Sequence, residues 1–394
     1  MHHYIPKEEL TRRVTGFQSI LQEQGIDGAI LVQSVDVYYF SGTMQRSHLF
    51  IPAAGEPVLM VKRSFLRAGE ESALDHVVHL ENPKGMMSVL LSFGFDSMKK
   101  IGMELDVLPV AQYQRYGKLL SGIEIVDISA GIRNLRMIKT AYEIDVMKKS
   151  AELNCEVYSA IKGLIREGIS ELTLAGAIEA IYREKGDSGL LRLRGFNQEL
   201  TFGHLMSGTN LAVSSYFDGP TGGRGPDPTF PQGAGFKLLE RNEPILIDYG
   251  FSYYGYISDQ TRIFCIGSLA DHLVKAYDVA RRILYRLVEM GKPGVSGEAL
   301  YLEAIKIAES SGFIDHFMGY PERVAFIGHG LGLELDELPV AAAGVKAPLA
   351  QGMVIAIEPK FVFPDGAVGI ENTYLVTADG LENMTVFDED IIYV

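Results

Sequence analysis

Four carboxylates and one imidazole in the C-terminal half set the chemistry open to this chain: Asp248, Asp259, His329, Glu358 and Glu371. Asp248 closes the run Ile-Leu-Ile-Asp, and Asp259 follows eleven residues later in Tyr-Ile-Ser-Asp-Gln-Thr-Arg. His329 lies in Phe-Ile-Gly-His-Gly-Leu-Gly-Leu, Glu358 in Val-Ile-Ala-Ile-Glu-Pro-Lys and Glu371 in Val-Gly-Ile-Glu-Asn-Thr-Tyr. Each sits in or beside an apolar, β-rich run, where an unpaired charge is costly. Taken singly, such an acid is ordinarily solvated or salt-bridged, and such a histidine is ordinarily a core residue. Five together, with few nearby Lys or Arg, point to metal. Two divalent ions would neutralise the four carboxylates. Oxygen ligands with one nitrogen and no thiolate suit Mn²⁺, Co²⁺, Fe²⁺ or Zn²⁺. The chemistry expected of such a pair is metal-assisted hydrolysis.

The elements that must position these residues follow from pattern. Over the first 140 residues short strands alternate with helices: helices over Glu8–Gln24, Met86–Leu91 and Ala111–Leu120, and strands at Gly28–Gln33, Val37–Phe40, His76–Leu80, Lys100–Leu105 and Ile123–Ile128. A hairpin runs from His48–Ile51 to Pro57–Lys62 around Ala54-Gly55-Glu56. Hairpin plus alternation predicts a mixed α/β sheet. This part carries no catalytic constellation, so packing, dimer contact or covering an active-site mouth is its expected role.

From Glu143 the spacing of Ile144, Met147, Ala151, Cys155, Tyr158, Ile161 and Ile165 predicts an amphipathic helix, and a second follows the cap at Ser170 to end near Gly186. The plan then repeats. Gly168-Ile-Ser-Glu-Leu and Gly294-Val-Ser-Gly-Glu each open a helix with a glycine eighteen residues on, at Gly186 and Gly312. Long helices precede both and strand-rich sequence follows both. An internal duplication would bring Asp248 and Asp259 from one half to meet His329, Glu358 and Glu371 from the other. Between the halves, the Gly- and Pro-rich segment after Asp218 reads as a loop rimming the substrate pocket. Arg224, and with it Arg192 and Arg194, could bind a substrate carboxylate there.

The order Asp, eleven residues on Asp, then G-H-G-x-G-L, I-E-P and I-E-N resembles the pita-bread metallopeptidases, a family that includes methionine aminopeptidase, proline-specific aminopeptidase, prolidase and creatinase. Leu135-Arg-Met-Ile-Lys-Thr-Ala-Tyr-Glu143 is similar to the interdomain segment of the prolidase and creatinase branch. The resemblance implies a mixed-sheet, creatinase/prolidase-like N-terminal domain over 1–140 and a pseudo-twofold pita-bread catalytic domain over 141–394. It also implies two divalent metal ions and a homodimer. Asp248 would hold one ion bidentately, Asp259 and Glu371 would bridge, and His329 and Glu358 would complete the second site, with Glu358 beside the nucleophilic water.

The chain departs from that pattern at three places. In Gly328-His-Gly-Leu-Gly-Leu-Glu-Leu-Asp336-Glu-Leu-Pro339, Asp336 stands where the peptidases carry a second histidine. In Ser207-Gly-Thr-Asn-Leu-Ala-Val-Ser-Ser215, Ser215 replaces the proton-shuttling histidine. Gly369 stands where an arginine often precedes the last glutamate by two. A carboxylate donates to an oxyanion only when its pKa is raised enough to keep it protonated. Asp336 could instead act as a base or bind a cationic substrate group, or be a tolerated substitute in an active peptidase. His204, a few residues before the altered loop, reads first as a packed core histidine and second as a replacement imidazole.

Composition bounds the rest. At 394 residues two domains are expected, and 47% hydrophobic with 22% charged residues is ordinary for a globular enzyme. A formal charge of −14 argues against nucleic acid or anionic membranes as partners. The start is charged and lacks an apolar core, no apolar run is long enough to span a bilayer, and two cysteines in apolar patterns argue against disulfides. A cytoplasmic setting is the expectation. Three functions follow: a dinuclear hydrolase of Xaa-Pro aminopeptidase or dipeptidase type; a non-peptidase hydrolase or lyase acting on a small substrate such as an amide or a cationic metabolite; and a metal-binding homologue without turnover.

Overall fold

The computed structural model describes residues 4–394, which divide into two compact units after Arg136. The first is built on a six-stranded sheet in the order His76–His79, Val58–Val61, Ser47–Pro52, Gly28–Leu31, Lys100–Met103, Glu124–Asp127. The predicted hairpin is there: Ser47–Pro52 and Val58–Val61 pair antiparallel from Ser47 opposite Val61. The outer strands pair parallel, so the sheet is mixed. Its buried face, including Ile30, Phe50, Met60 and Ile101, packs with Leu90, Tyr116 and Leu120.

Val37-Tyr-Tyr-Phe is not a strand. It belongs to the helix Ser34–Ser41, whose N-terminus is capped by the Gln33 side chain accepting from Asp36 N, and which ends at Gly42 in the left-handed region. Aromatic and β-branched residues favour strands only weakly against context. Here Val35, Val37, Tyr39 and Phe40 are all buried, and Asp36 is paired with Arg136 at 2.7 Å. Those contacts are made by the helix.

The second unit repeats one plan twice. Helix Ala141–Ile161 opens with a capping box between Thr140 and Glu143, and helix Glu171–Glu184 opens with Ser170 accepting from Thr173 N. Helix Asp271–Met290 precedes helix Gly297–Ser310, which opens with Ser296 accepting from Ala299 N. Gly186 and Gly312, the glycines eighteen residues beyond Gly168 and Gly294, lie past the two shorter helices and both have positive φ. A four-stranded sheet follows the first helix pair, ordered Ile392–Tyr393, Thr261–Cys265, Pro244–Tyr249, Gly203–Ser207. A five-stranded sheet follows the second, ordered Glu337–Ala342, Phe326–Gly330, Val354–Ile357, Asn372–Val376, Leu381–Asn383. A bridge between Thr261 and Glu371 joins the two halves, with each backbone amide donating to the other carbonyl at 3.3 Å. This is the duplicated pita-bread architecture. Cys155 and Cys265 are unpaired, and no helix among the described residues is long and apolar enough to cross a membrane.

Candidate metal centre and cleft

The two halves bring all five candidate ligands together where the sheets meet. Asp248 lies on the strand Pro244–Tyr249, and Asp259 sits just before Thr261–Cys265. Thr373 clamps Asp259 from the other half: its Oγ1 accepts from Asp259 N and donates to Asp259 O, both at 2.9 Å. His329 comes from the strand Phe326–Gly330, where neighbouring strands approach so closely that a Cβ on Gly330 would lie 2.2 Å from Leu338 backbone. Glycine on both sides of the histidine is therefore a packing requirement.

Donor atoms converge on His329 Nε2. Glu358 Oε1 and Glu371 Oε1 lie 3.7 Å from it and Asp259 Oδ2 lies 4.0 Å away. Ligand atoms at tetrahedral angles on bonds of about 2.1 Å stand about 3.4 Å apart, so the spacing is close to a coordination shell. His329 Nδ1 is 3.3 Å from Gly330 O, and the tautomer that donates there leaves Nε2 free to ligate. Glu371 Oε1 is buried without a hydrogen-bond partner, an orphan that a cation would satisfy. These residues fit a divalent ion.

The second oxygens of the same carboxylates are already engaged. Lys360 Nζ donates to Glu358 Oε2 at 2.6 Å and Glu371 Oε2 at 3.0 Å, and lies 3.1 Å from Asp248 Oδ2. Thr261 Oγ1 also donates to Glu371 Oε2 at 2.8 Å. Sequence reasoning missed Lys360. The signal was its spacing of two from Glu358, which in extended chain places both side chains on one face. Arg262 was missed too: it is fully buried, and its guanidinium donates to Glu371 O at 2.9 Å and Asn372 Oδ1 at 2.8 Å.

The electrostatics reflect this crowding. Burial lifts the Asp248 carboxyl to about 7, with Glu371 and Glu358 adding to the rise against Lys360. Burial also raises Asp259 and Glu358. Glu371 resists burial because Lys360 and His329 hold it well below the usual carboxylate range. Burial alone would lower His329, but Glu371, Glu358 and Asp259 raise it to about 10. The cluster draws protons in the way it would draw a cation.

A cleft of about 270 Å³ opens onto Asp248, Asp259, His329, Glu358 and Glu371. Leu191, Leu193, Leu200, Phe217, Phe326 and Leu335 line its walls. That is just below the ~300–1,000 Å³ usual for sites holding drug-sized ligands, and the apolar walls with a polar end have the usual character of such sites.

Comparison with known proteins bears on this geometry. The family described as Metallopeptidase family M24 matches residues 145–378, and the Creatinase/Prolidase N-terminal domain matches residues 13–138. The chain belongs to metallopeptidase family M24. It is 27% identical over 390 residues to an Xaa-Pro dipeptidase of Pyrococcus furiosus, covering 98% of this chain and 100% of the other. An Xaa-Pro dipeptidase of Lactobacillus delbrueckii subsp. lactis is 25% identical over 379 residues, covering 93% and 95%. Among solved structures, a prolidase from Pyrococcus horikoshii OT3 superposes with a TM-score of 0.81 at 25% identity over 97% of this chain and all of that one. An Xaa-Pro dipeptidase from Bacillus anthracis has the same fold, with a TM-score of 0.84 at 23% identity over 98% of this chain and 100% of that one. A metallopeptidase family implies a divalent metal ion, and the cluster facing His329 is where this M24 chain can hold one.

The remaining candidates fall in different places. Asp336 lines the cleft, but both its oxygens accept backbone amides, Oδ1 from Arg194 at 2.8 Å and Oδ2 from Gly195 at 2.9 Å. It ties down the segment that carries Leu191 and Leu193. Arg194 pairs with buried Glu334 at 3.6 Å, and the Arg192 carbonyl accepts from Leu335 N at 2.7 Å. His204 is buried and lines the cleft, directly across from Asp248 in the strand register. Its Nε2 has no hydrogen-bond partner, and its ring meets Phe217 edge-on at 5.2 Å. Burial, with the Lys360 charge, pushes its pKa down to about 4, so it is neutral near pH 7. Ser215 and Arg224 are not brought to the cleft lining. Ser215 Oγ accepts from Phe217 N at 3.3 Å, and exposed Arg224 is held by its backbone amide to Asn210 Oδ1 at 2.9 Å. From the Gly- and Pro-rich loop, Phe217 to Thr221 rim the cleft instead.

Proposed function

We propose that this chain hydrolyses the amide bond of a short peptide, an Xaa-Pro dipeptide foremost, at the metal cluster closing its apolar cleft. The observation that carries the proposal is the convergence of Asp259, His329, Glu358 and Glu371 on one point at the polar end of that cleft. End-to-end similarity to Xaa-Pro dipeptidases supports the substrate class. Asp259, His329, Glu358 and Glu371 would hold a divalent ion there, which would supply a water of lowered pKa and polarise the scissile carbonyl.

The chain's own groups do the rest. Glu358, beside the water such an ion would hold, would accept that water's proton, while Lys360 fixes Oε2 at 2.6 Å and so aims the carboxylate. His204, neutral and with Nε2 unpartnered, hydrogen-bonds the substrate beside the reacting carbon in place of the absent family histidines. Asp336 holds the backbone of Arg194 and Gly195 and so keeps the apolar wall in place.

One feature favours a second reading, in which the substrate is a neutral or cationic amide. Among the described residues lining the cleft there is no Lys or Arg, while Asp218 and Asp336 are present. A dipeptide's terminal carboxylate would find no Lys or Arg in that lining. The test is hydrolysis by metal-loaded protein of matched Xaa-Pro dipeptides, Xaa-Pro amides and simple cationic amides. Cleavage of the free dipeptides supports the first reading, turnover of the amides alone supports the second, and silence on all three sinks both.

A further inference from the structure

We infer that the cluster binds one divalent ion per chain, and that the Lys360 ammonium serves as the second cation. The inference rests on the reading of these residues as a metal site and goes beyond it in fixing the number of ions. Glu358 and Glu371 each divide their two oxygens between two positions. Their Oε1 atoms face His329 Nε2 at 3.7 Å, and their Oε2 atoms bind Lys360 Nζ at 2.6 and 3.0 Å. Asp259 Oδ2 belongs to the His329 side at 4.0 Å, and Asp248 Oδ2 to the Lys360 side at 3.1 Å. The arrangement has two cation positions bridged by two carboxylates. One is filled by a covalently attached ammonium, and the orphaned Glu371 Oε1 belongs to the other.

Lys360 cannot readily step aside. Its side chain is 1% exposed, and it begins the fully buried strand Lys360–Phe363. That strand pairs with Gly366–Gly369, with Lys360 opposite Gly369. A Cβ at 369 would come within 2.4 Å of Lys360 Cγ, so the glycine is what admits the lysine stem. Gly369 and the Lys360 stem therefore fit together sterically.

Charge agrees with the geometry. With an ion bound, the four carboxylates are ionised and His329 is neutral; one divalent ion and Lys360 then supply three positive charges against four negative and leave the buried site one negative. Two divalent ions with Lys360 would make it net positive and press an ammonium against ions that stand ~3.5–4 Å apart in two-metal sites. The two ions expected from counting carboxylates are thus one too many, because Lys360 already cancels a charge.

The test is metal content. The purified full chain is stripped, reloaded with excess Mn²⁺, desalted and assayed for bound metal by mass spectrometry, with electron paramagnetic resonance reporting how the ions sit. One ion per chain with the signal of isolated Mn²⁺ is expected. Two ions with the signal of an exchange-coupled pair would overturn the inference while leaving the metal-site reading intact. No retained ion would overturn both. Lys360→Met, which keeps the stem and removes the charge, should raise the content to two ions per chain and give the coupled signal. A folded Lys360→Met protein still holding one ion would show that Lys360 is not what excludes the second. Should that variant fail to fold, the stoichiometry and resonance of the unaltered protein decide the matter alone.

Discussion

Lys360 and Gly369 face each other in register across an antiparallel hairpin, and the missing side chain of one makes room for the stem of the other. Gly369→Ala should destabilise the protein, because the new Cβ would stand 2.4 Å from Lys360 Cγ and 2.7 Å from Pro359 O. Overpacking of this kind costs about 1–3 kcal/mol. Denaturant unfolding of Gly369→Ala, Lys360→Ala and the double variant checks the pairing. A double variant less damaged than the sum of the singles is expected, and strict additivity would refute the coupling.

Asp336 is engaged by two backbone amides, so placing a histidine there should harm before it helps. Asp336→His and Asp336→Ala both leave the amides of Arg194 and Gly195 without their acceptors. The expected cost is about 1–3 kcal/mol. Because those amides hold the cleft wall, KM should rise more than kcat falls on whichever amide the protein turns over. A pure loss of kcat would point instead to direct proton transfer by Asp336.

Glu171 is a buried anchor for the loop around the cleft. It accepts from Ser207 N at 2.6 Å, Ser207 Oγ at 2.8 Å, Asn210 Nδ2 at 2.7 Å and Gly235 N at 2.9 Å. Glu171→Ala should cost about 3 kcal/mol or more, since several buried donors lose their acceptor together. Limited proteolysis should then cut between residues 208 and 235, with cleavage elsewhere unchanged. Protection of that segment in the variant would refute the anchoring role.

Two buried histidines should make the protein acid-sensitive. Burial pushes His204, helped by Lys360, and His48, helped by Lys62, Arg46 and Arg115, down to about 4 from an ordinary 6.5. The unfolded chain then takes up protons below pH 6.5 that the folded chain refuses until about pH 4. Stability from this source is complete above pH 6.5 and is lost as pH falls toward 4, by up to about 3 kcal/mol per histidine. His204→Leu and His48→Leu should each flatten the stability profile across that window. Unchanged slopes between pH 4 and 6.5 would show that other groups govern acid unfolding.

Chelation should lower thermal stability, because the ion binds only the folded cluster. At a free ion concentration a hundredfold above Kd the bound metal contributes about 2.7 kcal/mol. Glu371→Gln, which weakens the cluster at its most buried carboxylate, should abolish that difference between loaded and stripped protein. Equal melting temperatures for loaded and stripped protein before any mutation would argue against a metal bound in this state.

The sequence alone determined what local spacing and residue type can encode. Ser170 and Ser296 cap two matching helices, Gly186 and Gly312 lie beyond their ends, and the hairpin around Gly55 is set by turn chemistry, all within short stretches of chain. The five ligand candidates were legible because acids are rare in buried strands unless something satisfies them. Tertiary structure decided whatever depended on distant neighbours. Val37 to Phe40 became helix because burial from several sides outweighed a weak strand preference. Asp336 became an anchor because Arg194 and Gly195, some 140 residues earlier, present their amides to it. Lys360 has no local mark of its role beyond its spacing from Glu358; the pairing of the strands places its ammonium among Asp248, Glu358 and Glu371. A buried cation's partner is fixed by which strands pair, and pairing is a property of the whole fold, not of the few residues on either side.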